Sequence, residues 1–237
     1  MGDIEAALRE ASEAGVTRVV AMGVDGPSSE GAVRLAEQHR AVFAAAGHHP
    51  LNQSGPDLAL LRRLATHPRV VAIGEVGLDH ADEHRGPHDQ QEIWFHSLCE
   101  LALELDLPVC VHTRECTDEV FAAIRSHPGL RGVMHYFNLE AVWAERFLGL
   151  GFYISFSGVV TRASRADLRE VARTVPADRL LVETDAPWGT PRGRSGAMRP
   201  AWMRDTAELV AELRGLSIEE FAALELGNAR ALFTKLE

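Results

Sequence analysis

Four side chains of metal-binding type, Glu75, His112, His135 and Asp185, stand 37, 23 and 50 residues apart, each at or near the end of a short apolar run. Alternation along those runs puts Ile73 with Glu75, Cys110 with His112, Val133 with His135 and Glu183 with Asp185 on one side of each segment. Histidine and carboxylate donors suit a divalent ion. Brought together, they would support hydrolysis, because a metal makes water nucleophilic near neutral pH and neutralises oxygens that gain charge. A lone histidine at a strand end is usually structural. Four such residues at matching strand ends turn the reading toward a site of metal-binding ancestry.

The elements that must position them are repeated strands and helices. Seven apolar runs begin at Val16, Val42, Val70, Leu107, Gly132, Phe152 and Arg179. Their near-continuous apolarity predicts parallel strands buried on both faces. Helical spacing of apolar residues follows over 57–67, 90–106, 116–127, 139–149, 164–174, 200–214 and 217–236, and precedes the first strand over 3–14. Asp57 is the expected cap of the first of these seven helices, with Asn138 or Ser164 capping others. Strand and helix units over 237 residues leave an open doubly wound sheet or a (β/α)8 barrel. No glycine-rich phosphate loop is present to mark an open sheet. The ligand gaps match one, one and two barrel units of about 30 residues. The expectation is therefore an α/β fold, a (β/α)8 TIM-type barrel missing its first strand, as one domain over 1–237. Such a gap exposes the strand edges at Val16 and Arg179, which favours a homo-oligomer covering the open edge.

Composition narrows the partners. With 46% hydrophobic residues the chain is globular, and 24 Lys+Arg against 34 Asp+Glu give a formal charge of −10. That balance argues against broad electrostatic coating of nucleic acid or anionic membrane, while leaving room for a narrow phosphate site. Three cysteines, Cys99, Cys110 and Cys116, fit a reducing compartment, the cytoplasm, better than a disulfide framework. The first residues carry no basic region followed by an apolar run, and no stretch approaches the roughly 18 apolar residues of a membrane span. No membrane partner is expected.

The motifs GEVGLD (74–79), LPVCVHTRE (107–115), HYF (135–137), GFYISFSG (151–158) and DRLLVETDAPW (178–188), with NARALF (228–233), together resemble the TatD-type metal-dependent deoxyribonucleases, of the amidohydrolase-like metal hydrolases. The resemblance runs from about Val16 to Phe233. It implies a (β/α)8 barrel, a divalent-metal centre and 3′–5′ trimming of single-stranded DNA. Carried over, Glu75 resembles the bridging carboxylate, and His112 and His135 resemble ligands of the second metal. Asp185 resembles the aspartate that binds the first metal and handles the nucleophilic water. His49, in GHHP, sits where the family has a histidine that touches substrate phosphate, although Leu51 replaces the second histidine of the usual HPH. Arg114 resembles the arginine two residues after the metal histidine. Family members begin with a strand ending in His-x-His, two ligands of the first metal, and nothing in Met1 to Val16 matches it.

With those two ligands unmatched, Glu75, His112 and His135 form the one complete set, and Glu75 with Asp185 makes only a weak second site. One ion is expected, or two where a His-x-His strand is restored. Zinc, manganese, nickel or iron suits the imidazoles, while magnesium would need many waters or substrate phosphates. Asp185 is then the general base. Arg114 orients a ligand or meets a phosphate oxygen. Trp188 is a stacking platform or lid, and Arg192 and Arg194 are candidate phosphate contacts. Glu183, one layer deeper, is expected to be structural, Asp79 a turn residue, and Cys110 a buried thiol. His80, His84, His88 and His96 are expected to be solvated. The activity expected is DNA hydrolysis, reduced if half the centre is gone. The alternatives are a small-molecule hydrolase of the same superfamily and a non-catalytic barrel homologue.

Overall fold

A run of Val, Ile and Ala with no polar alternation makes a stable strand only where both faces are covered. The computed structural model describes residues 3–81 and 88–236 and is an α/β fold of seven parallel strands alternating with helices, four of the strands buried throughout. In chain order the elements are α1 (Ile4–Glu13), β1 (Val19–Met22), α2 (Gly26–Gln38), β2 (Val42–Ala46), α3 (Leu58–Ala65), β3 (Val70–Asp79), α4 (His88–Glu104) and β4 (Val109–Arg114). Then come α5 (Thr117–Arg125), β5 (Gly132–Met134), α6 (Ala141–Gly149), β6 (Tyr153–Phe156), α7 (Ala166–Thr174), β7 (Leu180–Val182), α8 (Met203–Arg214) and α9 (Ile218–Leu232). The chain forms two compact units, the first of residues 1–19 and 135–231 and the second of 20–134 and 232–237.

In the second unit, β2, β3, β4 and β5 pair in parallel in chain order. All of β2 is buried, as are Val70–Ile73 of β3. Gly77 pairs with His112. Its φ is +145°, and a Cβ there would collide with the His112 carbonyl. Only glycine allows the two strands so close at that level, which is where Glu75, Asp79 and His112 leave the sheet.

In the first unit, β6 and β7 pair in parallel, Ile154 with Leu180 and Phe156 with Val182. The Glu183 amide donates to the Phe156 carbonyl at 3.0 Å, so Leu180 and Val182 turn their backbone groups the other way. Side chains of α9 meet them there. Asn228 donates to the Leu180 carbonyl at 2.8 Å and the Ala177 carbonyl at 2.7 Å, and Glu225 accepts from the Val182 amide at 3.4 Å. The β7 edge expected to be open is thus hydrogen-bonded by a helix.

Two expectations need correction. The helix α2 is absent from the expected helical segments, yet Asp25 and Ser28 form a reciprocal capping box and proline suits the first turn. Asp57 caps α3 as expected, accepting from the Leu60 amide. Asn138 and Ser164 cap nothing. The α6 and α7 N-caps are Glu140 and Arg165, neither with a side-chain cap bond, and Asn138 instead accepts from the Arg165 guanidinium.

Candidate metal centre

The second unit gathers His49, three residues past β2, Glu75, within β3, and His112, within β4. Each offers a ligand atom, and these atoms lie within 4.8 Å of one another. The His49 Nε2 is 3.3 Å from Glu75 Oε1, and the two imidazole centroids are 4.6 Å apart. The Leu51 amide donates to His49 Nδ1 at 3.2 Å, which places the neutral ring's proton on Nε2, facing Glu75. Of the two adjacent histidines it is His48 that is buried, edge-on to Trp94 at 5.4 Å; burial pushes its imidazole below the usual range.

His112 meets a carboxylate at each ring nitrogen: Glu75 Oε1 at 3.0 Å from Nδ1 and Asp79 Oδ2 at 3.1 Å from Nε2. Asp79 is only 1% exposed and rigidly held. Its Oδ1 accepts from the Ala81 amide, and its own amide donates to Gln91. Burial pushes its carboxyl up, but hydrogen bonds from His112 and Ala81 and the charges of His112 and Arg114 outweigh that and leave it below the ordinary carboxylate range. A neutral imidazole donates through one nitrogen only. With Asp79 taking Nε2–H, Nδ1 turns a lone pair toward the space it shares with Glu75 and His49. A divalent cation fits between the His112 Nδ1 lone pair and the Glu75 carboxylate, in the carboxylate, histidine, metal order common to such sites, with the protonated Nε2 of His49 beside it. Asp79 was expected to be a turn residue; the geometry makes it the group that holds the His112 ring.

Arg114 is exposed, with its guanidinium 4.0 Å from Asp79 Oδ2. His80 and His88 are not simply solvated: their rings stack at 3.7 Å. His96 lies 5.0 Å from His127, and His84 falls outside the described residues. Cys110 is buried as expected.

The first unit carries the remaining expected residues. His135 Nδ1 lies 2.9 Å from Glu183 Oε1, which also accepts from the Tyr136 amide at 2.7 Å. That bond makes Nε2 the lone-pair nitrogen of the ring, so Glu183 orients His135 rather than serving the core alone. Asp185 and Tyr136 both have positive φ, +56° and +47°, a conformation costing about 1–2 kcal/mol outside glycine. The Trp188 amide donates to the Asp185 carbonyl at 2.7 Å, closing a turn that leaves the indole 71% exposed. Arg194 is engaged bidentately by Asp205 at 2.6 and 2.9 Å, whereas Arg192 is exposed.

Sequence and fold comparisons agree with each other. A family model described as TatD related DNase matches residues 1–234. An uncharacterized metal-dependent hydrolase of Bacillus subtilis, YabD, is 35% identical over 98% of this chain and 92% of its own length. The 3′-5′ ssDNA/RNA exonuclease TatD of Erwinia amylovora is 37% identical over 98% of this chain and 93% of its own. The crystal structure of YJJV, a TatD homologue from Escherichia coli, superposes with a TM-score of 0.92 at 31% identity, over 98% of this chain and 92% of that one.

Proposed function

The chain belongs to the TatD-related DNase family, and we propose that it is a divalent-metal-dependent hydrolase that removes nucleotides from the 3′ end of single-stranded DNA. The observation that carries the proposal is the His49, Glu75 and His112 group, with Asp79 fixed behind it. Relatives named as 3′-5′ ssDNA/RNA exonucleases support the choice of substrate.

A divalent ion bound there supplies a water acidic enough to attack near neutral pH and positive charge for the phosphate oxygens. Glu75 and His112 hold the ion, and Asp79 keeps the His112 ring in the one tautomer that can bind it. His49, with its proton on Nε2, donates to a phosphate oxygen. On motif grounds His135 is a further ligand and Asp185 the base that takes the proton from water. Arg114 and Trp188 meet the substrate at phosphate and nucleobase. The histidine donors favour zinc, manganese or nickel over magnesium, at one ion per chain. The remaining assignments are one domain over 1–237, the cytoplasm, and self-association at the β1 edge.

The test starts from protein stripped by a chelator and resupplied with each metal in turn, acting on 5′-labelled single-stranded DNA. Shortening from the 3′ end should appear only with metal. Asp185→Asn should lower turnover by about 10²–10⁴-fold, the usual worth of a general base, with metal content unchanged. No shortening with any ion overturns the proposal; turnover of lactones or simple esters in its place would favour the small-molecule reading. Two ions per chain at stoichiometric affinity overturn the ion count, and a monomer in light scattering overturns self-association.

A further inference from the structure

Tyr136 is not needed to explain the ligand set, yet its placement is unusually determined. Its φ is +47°. Its amide is held by Glu183 at 2.7 Å, and the next amide, of Phe137, by the Ser155 carbonyl at 2.9 Å. The backbone is pinned on both sides of the strained residue, which is how such strain persists. Gly189, at φ +71°, lets the loop after Asp185 close over the ring: a Cβ there would stand 3.1 Å from Tyr136 Cε2 and 3.5 Å from Ser157 Cβ. Buried Ser157 hydrogen-bonds the phenol, and Asp185 and the Arg162 guanidinium both bear on it electrostatically.

A phenol hydroxyl both donates and accepts, so a bond to serine leaves it a second hydrogen-bonding direction. Arg162, exposed at the end of the turn after Ser157, has donors only. Two donors beside a carboxylate assigned to proton transfer are what an anionic oxygen requires. We propose that the Tyr136 hydroxyl and the Arg162 guanidinium form a subsite for a non-bridging phosphate oxygen of the substrate, next to Asp185. The subsite rests on the nuclease reading above, and it orients the phosphate for attack.

The test uses the metal-loaded enzyme with Tyr136→Phe and Arg162→Gln. Tyr136→Phe removes one hydroxyl and keeps the ring against Gly189. It should lower kcat/KM on single-stranded DNA about 10–100-fold, the usual loss for one hydrogen bond to a charged group, with metal content unchanged. Arg162→Gln should lower it about tenfold. Thymidine 5′-monophosphate, as competitor, should bind both variants more weakly by similar factors, while thymidine, which has no phosphate, should distinguish neither from wild type. Variants equal to wild type in both kcat/KM and monophosphate binding overturn the subsite and leave the nuclease reading standing. If wild type shortens no DNA, the nuclease reading falls; calorimetric binding of thymidine 5′-monophosphate, weakened by Tyr136→Phe, would still uphold the subsite, and unweakened binding would overturn it.

Discussion

At each of the two histidine positions, the residue that makes the imidazole usable as a ligand is a carboxylate contributing its own hydrogen bond. Asp79 takes Nε2 of His112, and Glu183 takes Nδ1 of His135. The two rings are therefore held in opposite tautomers. Asp79→Asn keeps the volume and an acceptor but removes the charge that favours Nε2–H. Metal affinity, measured by chelator competition, should fall about 10–100-fold, the usual cost of losing such a partner, while circular dichroism stays unchanged. Unaltered affinity would remove Asp79 from the site. Glu75 and His112 were legible from type and spacing, each on an apolar strand, whereas His49 is singled out only by the family resemblance of its GHHP motif. Asp79 was less so: it shares Glu75's parity two pairs further along β3, but its position after glycine reads equally as a turn, and only burial separates the two readings. Glu183 reads from the sequence as structural, and its bond to His135 comes from a pairing 48 residues distant that no local pattern encodes.

The same division holds for elements. The strands were legible because double-sided burial writes itself as unbroken Val, Ile and Ala. The Asp57 cap was legible too, but those of α6 and α7 were not, since Glu140 and Arg165 stand at N-cap positions without a side-chain cap bond. Nor was the α9 contact with β7, where two polar side chains replace a neighbouring strand's hydrogen bonds. That replacement has a pH signature. Burial pushes the Glu225 carboxyl up to about 7 from the ordinary 4.5, with the Val182 amide opposing. Its pKa is thus higher folded than unfolded, so between those values the folded state binds more protons. The contribution is fully present below about pH 4.5 and is lost as pH rises through about 7, amounting to at most about 3.5 kcal/mol. Glu225→Gln still accepts from Val182 and cannot ionise. Denaturant unfolding should therefore show the variant more stable than wild type at pH 8 and no more stable at pH 4.5. Parallel pH profiles for the two proteins would mean that Glu225 ionises as if in water.

For the molecule as a whole, a formal charge of −10 and a nucleic-acid substrate are compatible only if few cations do the binding. Most arginines with described partners are already committed: Arg62 to Glu104, Arg131 to Asp106, Arg165 to Asp167, Arg173 to Glu170, Arg194 to Asp205 and Arg204 to Glu208. Such exposed pairs contribute about 0–1 kcal/mol each to stability, but each withholds a positive charge from a phosphate backbone. Arg162 and Arg192 are exposed, and Arg114, exposed at 4.0 Å from Asp79, is the third cation that the proposed reading assigns to phosphate. A single strand releases about 0.7 counterion per phosphate neutralised. Two or three contacts then predict a slope of log affinity against log salt of about −1.4 to −2, or roughly a 7- to 16-fold loss between 50 and 200 mM salt. Fluorescence anisotropy with Asp185→Asn, to prevent hydrolysis, would measure it. A slope near −4 would demand a basic surface that the acidic composition does not supply, and would overturn recognition through a few discrete phosphates. A shallow slope that Arg162→Gln lowers by about 0.7 would trace that share of the affinity to a single phosphate contact.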